Sequence, residues 1–164
     1  MSDKGTLDDA IALAVQAHRG QLDKGGAPYI LHPLRVMLKL EGEERQITAV
    51  LHDTVEDCGI ELALIRHRFG VNVAEAIDAL SRREGESYME FIERCGANPL
   101  ARSVKWADIA DNMDLSRIPN PTAEDRARRE KYWKASDRLT AMAMVANRES
   151  ALSQVDTPPQ GEGK

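Results

Sequence analysis

The chain has 164 residues, 42% of them hydrophobic and 30% charged, and a formal net charge of −5. That balance describes one globular domain with a real core, not a disordered chain, and aromatics at 4% leave the core to Leu, Ile, Val, Ala and Met. The acid excess argues against a nucleic-acid scaffold, and no apolar run is long enough to span a bilayer.

Helical periodicity dominates from the start. Met1 to Asp9 is polar and acidic, with no apolar signal core, so a cytoplasmic location is expected. Thr6 with Asp9 forms a capping pattern, and Leu7, Ile11, Ala14, Val15 and His18 then recur at helical spacing up to Gly20. Gly25, Gly26 and Pro28 make the next stretch a loop. A second helix is expected from about Pro33 to Leu40, a third from Glu43 to Asp57 and a fourth from Ile60 to Phe69. The fifth spans Val71 to Arg82. Ser87 and Glu90 form another capping box, and Asn98-Pro99 opens a helix that runs to about Met113. Thr122 with Asp125 caps the last helix, expected to reach about Asn147. The expectation is an all-α, irregular bundle of about eight helices over residues 1–153, followed by a disordered tail over 154–164. Cys58 and Cys95 fit no metal spacing and read as free thiols of a reducing compartment.

His52-Asp53 followed by Glu56-Asp57 carries the most chemical information. On a continuous helix these four side chains fall within an arc of about 140°. Ile47, Leu51 and Val55 form a separate apolar stripe that anchors the helix. An imidazole and three carboxylates so close together desolvate and repel one another unless a cation joins them. An acidic helix end is the plain alternative, but Asp57 would sit where the helix dipole disfavours acid. Further ligands must come from elsewhere. His32, in an apolar stretch at a helix mouth, suits a cap, a filler or a ligand; His18 and His67 read as structural. Asp108, bordered by Ala101, Val104 and Ala107, is a plausible ligand one turn before Asn112, though taken without the other patches it reads as a solvated acid.

Together these patches resemble a known family. Ala17-His18-Arg19-Gly20-Gln21 and Lys24 to Pro33 are similar to the opening of the HD-domain guanosine tetraphosphate hydrolases, found as the hydrolase half of RelA/SpoT proteins and as small stand-alone alarmone hydrolases. His52-Asp53-Thr54-Val55-Glu56-Asp57 matches the central motif of that family; Lys105-Trp106-Ala107-Asp108 with Asn112-Met113 resembles its third, and Tyr132 with Arg138-Leu139 its last helix. The resemblance implies that His32, His52, Asp53 and Asp108 hold one divalent metal, usually manganese, with iron or another divalent ion acceptable to the same donors. It implies that Glu56 and Asp57 position and activate the attacking water, and that Lys24, Asn112, Tyr132 and Arg128 contact the nucleotide or its phosphates. The implied reaction is hydrolysis of the 3′-pyrophosphate of (p)ppGpp to GDP or GTP and pyrophosphate, a small-molecule reaction with no nucleic acid or membrane partner. The residues do not indicate an oligomeric state.

The chain departs from the family at Asp23, where an arginine is typical, and at Leu31, Trp106, Asp111 and Asp114. These changes are expected to touch substrate recognition rather than metal binding, and they keep open an HD phosphohydrolase for a different nucleotide or phosphorylated metabolite. No synthetase half is expected within 164 residues.

Overall fold

The computed structural model describes residues 4–155. Over them the chain is all-α, as expected. Nine helices follow in order: α1 (Leu7–Ala17), α2 (Leu31–Leu38), α3 (Glu43–Leu51), α4 (Thr54–Cys58), α5 (Leu62–Phe69), α6 (Val71–Leu80), α7 (Tyr88–Ala97), α8 (Pro99–Asn112) and α9 (Ala123–Val155). A 3-10 turn, Leu115–Arg117, leads out of α8. The capping residues act as the sequence suggests. Thr6 and Ser87 each exchange two bonds with the acid three residues on. Asn98 accepts from Leu100 and Ala101, and Thr122 and Asp125 cap α9 reciprocally.

Two differences from expectation exceed a couple of residues at a helix end. The third predicted helix is two helices, broken at His52–Asp53. The cause is local competition for carbonyls. Thr54 Oγ1 donates to Leu51 O at 2.7 Å and His52 Nδ1 lies 2.7 Å from Ala49 O, so side chains take acceptors that a continuing helix would use. Asp53 sits at φ −97° and ψ −5°, and Gly59, at φ 69°, closes α4 in a left-handed conformation suited to glycine. The other difference is α9, which continues past Asn147 to Val155; no Gly or Pro interrupts 148–155. The expected tail therefore begins inside this helix, and its residues 156–164 lie outside the described part.

The core is built as the low aromatic content requires. Val36, Val50, Leu51, Ile65, Val73, Ile77 and Val104 are almost fully buried, and Ala10, Ala14, Ala49, Ala74, Ala76, Ala101 and Ala107 let the helix axes approach closely between them. Ile92, Ile109, Ala135 and Leu139 form a smaller cluster that docks α9 on α7 and α8. Helix α8 is central, touching α2, α3, α6, α7 and α9. Cys58 and Cys95 are free thiols.

Helix α7 is tied to the end of α6 by one arginine. Arg94 donates to the carbonyls of Asp78, Ala79 and Ser81 and clamps Glu86 with Nε at 2.8 Å and Nη2 at 2.9 Å. The guanidinium holds the Glu86 carboxyl down at about 2. Because its folded pKa lies below the ordinary glutamate value, the clamp stabilises fully above about pH 4.5 and is lost as pH falls towards 2. Glu86→Gln is expected to lower Tm by about 2–4 °C at pH 7, a loss of about 1 kcal/mol. The difference should vanish near pH 2, which calorimetry at both pH values tests.

Candidate metal centre and nucleotide cleft

The break at His52–Asp53 brings the site together. It turns Asp53 towards α2 and α8 instead of carrying it along α3. His32 in α2, His52 after α3, and Asp53 then form a cluster whose candidate ligand atoms lie within 4.8 Å of one another, the cluster of this kind found among the described residues. Asp108 reaches in from α8, with Oδ1 3.1 Å from His32 Nε2 and 3.7 Å from His52 Nε2. Asp53 Oδ2 is 3.0 Å from His52 Nε2 and 3.8 Å from His32 Nε2. The two imidazole rings meet edge-on at 5.3 Å.

The outward nitrogen of each ring is already engaged. His52 Nδ1 lies against the Ala49 carbonyl, which can only accept, so that nitrogen carries the proton. His32 Nδ1 lies 2.8 Å from Asp111 Oδ2. Both Nε2 atoms therefore face the two carboxylates, and His52 Nε2 is buried with no hydrogen-bond partner. Burial pulls both imidazoles towards the neutral form, and the carboxylates around them outweigh it: Asp53 and Asp108 hold His52 well above its ordinary value, and Asp108 and Asp111 raise His32. The cluster thus attracts positive charge to the point where the Nε2 atoms and carboxylates converge. Two imidazole nitrogens and two carboxylate oxygens around such a point fit a divalent metal.

Asp108 and Asp53 are both held by further donors. Lys105 Nζ pairs with Asp108 Oδ2 at 2.8 Å and Asn112 Nδ2 donates to Asp108 Oδ1 at 2.6 Å. Tyr29 donates its hydroxyl to Asp53 Oδ2. Asp111 is the buried hub of the far side: Arg35 Nε at 2.9 Å, Arg117 Nη2 at 3.3 Å and Lys39 Nζ at 3.4 Å all converge on it besides His32. One of the family departures, Asp111, thus touches His32 directly. Leu31 and Trp106, by contrast, are 41% and 50% exposed and line neither cleft, so those departures do not touch the site.

Glu56 and Asp57 lie on α4, in the wall of a cleft of about 220 Å³ that also contains His32, Asp53, Asp108, Arg82, Lys105 and Lys131. Burial first, then the neighbouring carboxylates of Asp53 and Glu56, push the Asp57 carboxyl above its ordinary value. Glu56 Oε2 accepts from the Arg82 amide at 2.9 Å. A second cleft of about 270 Å³ adjoins the first, and Tyr29, His32, Asn112 and Tyr132 line both. Lys24, Arg128, Arg35 and Arg117 line the second alone. So each predicted site residue except His52, which is buried behind the first cleft, lines one cleft or the other. Lys24 Nζ rests 3.4 Å from Asp125 Oδ1, the acid that also caps α9. Asp23 is committed to its own loop, its Oδ1 accepting from the Gly25 and Ala27 amides at 2.9 Å each. The loop packs so closely that a Cβ on Gly25 would stand 2.8 Å from the Arg117 carbonyl oxygen.

The HD domain family matches residues 10–157. The chain is an HD-domain protein. Among curated relatives, this HD domain is 34% identical over 152 residues to a probable GTP pyrophosphokinase of Mycobacterium leprae, covering 85% of this chain and 18% of the relative. It is 34% identical over 119 residues to a guanosine-3′,5′-bis(diphosphate) 3′-pyrophosphohydrolase of Aquifex aeolicus, covering 65% of this chain and 17% of that one. The chain spans about a fifth of the length of the curated relatives it matches. A solved structure described as a metazoan ortholog of SpoT that hydrolyzes ppGpp shares the fold, with a TM-score of 0.67, 23% identity and coverage of 83% of this chain and 84% of that one. No helix of the described residues is long and apolar enough to cross a membrane.

Sequence reasoning missed several residues of the site. Asp111 and Tyr29 stood inside quoted patches, yet nothing in their spacing shows that they brace His32 and Asp53. Arg82, Tyr88 and Lys131 carry no motif and reach the cleft only through the packing of α6, α7 and α9.

Proposed function

We propose that the protein is a manganese-dependent hydrolase that removes the 3′-pyrophosphate of ppGpp or pppGpp, giving GDP or GTP and pyrophosphate. The observation that carries the reading is the convergence of His32 and His52 Nε2 with Asp53 and Asp108, of which His32, Asp53 and Asp108 line a cleft whose wall also holds Glu56 and Asp57. His32, His52, Asp53 and Asp108 would hold the metal; imidazole nitrogens in the donor set favour manganese or iron over the all-oxygen sites of magnesium. The metal, when bound, polarises a phosphoryl oxygen and lowers the pKa of water.

The chain's own groups do the rest. Asp57, its affinity for protons raised by burial and by two carboxylate neighbours, takes the proton from the attacking water with Glu56 orienting that water. The water oxygen bonds to the phosphorus attached to the 3′-oxygen, the 3′-O–P bond breaks, and the 3′-oxygen takes up a proton. Asn112 and Tyr132, shared by both clefts, sit where the ribose passes from one to the other, and Lys24 and Arg128 line the part that would take the nucleoside and its 5′-phosphates. No side-chain nucleophile is needed.

Purified protein with added manganese is expected to release pyrophosphate and GDP from ppGpp, and His52→Ala to release none. Equal release by the variant, or none by the wild type, overturns the reading. The second reading, hydrolysis of a different nucleotide or phosphorylated metabolite, is favoured by Asp23, whose carboxylate is spent on its loop and offers no cation to a base or phosphate. A nucleotide panel run in the same assay separates the two.

A further inference from the structure

Two cations that the site chemistry leaves unused line the catalytic cleft, and a third borders it. Lys131 and Arg82 line it together with Asp53, Glu56, Asp57 and Asp108, and Arg128 lines its neighbour. Lys105, by contrast, is neutralised by Asp108 at 2.8 Å. Among the described residues, neither Lys131 nor Arg82 forms an ion pair with a carboxylate. Arg82 donates from Nε at 3.2 Å and Nη2 at 2.9 Å to the Glu86 carbonyl, which fixes the guanidinium but leaves its charge uncompensated.

Lys131 is held by aromatic faces. Its Nζ lies 4.4 Å from the Tyr88 ring centroid and 5.5 Å from that of Tyr132, and the two rings are 6.3 Å apart. A cation over aromatic faces is oriented without being neutralised, so it stays available to an anion. The Tyr88 hydroxyl has no partner among the described residues, and the ring presents its face to Lys131. Desolvation, with Arg128, Arg82 and Lys105 nearby, shifts the Lys131 ammonium towards its neutral form, as expected where cations crowd with no anion between them. Register explains the division of labour on α9: Arg128, Lys131 and Tyr132 are spaced i, i+3, i+4 and share one helix face. Tyr132 stands between the clefts, with Arg128 serving one and Lys131 the other.

We propose that Lys131 and Arg82 form the seat of the terminal phosphate of the diphosphate under attack, and so select a diphosphate over a monophosphate. The proposal rests on the hydrolase reading for the orientation of the substrate. A monophosphate can reach the metal-binding residues, but it has no second phosphate to set against Lys131.

Lys131→Met keeps the aliphatic stem against Tyr88 and removes the charge. With manganese present, the variant is expected to bind inorganic pyrophosphate about tenfold to a hundredfold more weakly by calorimetry, the loss of one charge-assisted contact. KM for ppGpp should rise by a similar factor with kcat within about threefold, and the kcat/KM preference for a 3′-diphosphate over a 3′-monophosphate should fall to match. Lys131→Arg should restore pyrophosphate binding. Unchanged pyrophosphate affinity and unchanged preference in Lys131→Met, with its Tm equal to wild type, overturn the seat, as does a loss of kcat at constant KM. The two readings fail separately. Lys131-dependent pyrophosphate binding in a protein that does not cleave ppGpp sinks the substrate assignment and supports the seat; ppGpp cleavage with indifferent Lys131→Met does the reverse.

Discussion

Asp108→Asn is expected to strip the protein of tightly held divalent metal and to cut pyrophosphate release by at least about 10³-fold, since a metal supplies several kcal/mol of transition-state stabilisation. It should also lower Tm by roughly 10 °C. Both effects come from the same carboxylate. One oxygen is 2.8 Å from Lys105 Nζ; the other receives Asn112 at 2.6 Å and faces His32 Nε2 at 3.1 Å. An amide places a donor against one set of donors whichever way it turns. It also leaves Lys105, whose side chain is only 13% exposed, without its counter-charge. An unpaired buried cation costs about 3–5 kcal/mol. Pairing Asp108→Asn with Lys105→Met separates the roles: removing both charges should recover most of the stability and none of the metal. Metal content after dialysis and calorimetric Tm on the single and double variants test this, and a single variant that keeps wild-type metal would remove Asp108 from the ligand set.

Asp111→Asn, remote from the scissile bond, is expected to weaken metal binding by about 10–100-fold, the usual consequence of removing the group that orients a ligating histidine. His32 keeps its place in α2, but its Nδ1 loses the carboxylate that fixes the ring's tautomer and rotation. The cost in stability at neutral pH should be about 1–3 kcal/mol. It is held to that range because Arg35, Lys39 and Arg117, with side chains 28%, 39% and 33% exposed, can be rehydrated. The acid limb should change as well. Burial raises the Asp111 carboxyl, but His32 and Arg35 overcome it and hold it far below the usual range. A group depressed on folding contributes in full above its unfolded pKa, near 4, and loses that contribution as pH falls further. Acid titration of wild type should therefore converge on the variant below about pH 4. Parallel curves down to pH 2 would show that the Asp111 network does not stabilise the fold.

The chemistry was more legible in the sequence than the geometry. Caps at Thr6, Ser87, Asn98 and Thr122 can be read because each is settled by bonds within one helical turn. A shared cation can be anticipated at His52-Asp53 with Glu56-Asp57, because an imidazole and three carboxylates so close together need one, whereas His32 and Asp108 join the expected ligand set only through the family resemblance. The helix break at His52–Asp53 cannot, since periodicity ignores the side-chain bonds of Thr54 and His52 that cause it. Asp111 is hidden for another reason: its partners Arg35 and Lys39 are more than 70 residues away, and pattern within one helix says nothing of them. Asp23 misleads in the opposite direction, a charge at a recognition position that folding assigns to two loop amides.

The break between α3 and α4 divides the centre into two mechanical parts. His32, His52 and Asp108 are buried in or beside α2, α3 and α8, which pack on one another. Glu56 and Asp57 ride on five residues that end at a left-handed glycine and make their main contacts with α1. Short elements with few neighbours open at lower free energy than core helices. Amide hydrogens of α4 should accordingly exchange with solvent well before those of α3 and α8, so that the wall carrying Glu56 and Asp57 can loosen locally while the floor built from His32, His52 and Asp108 stays closed.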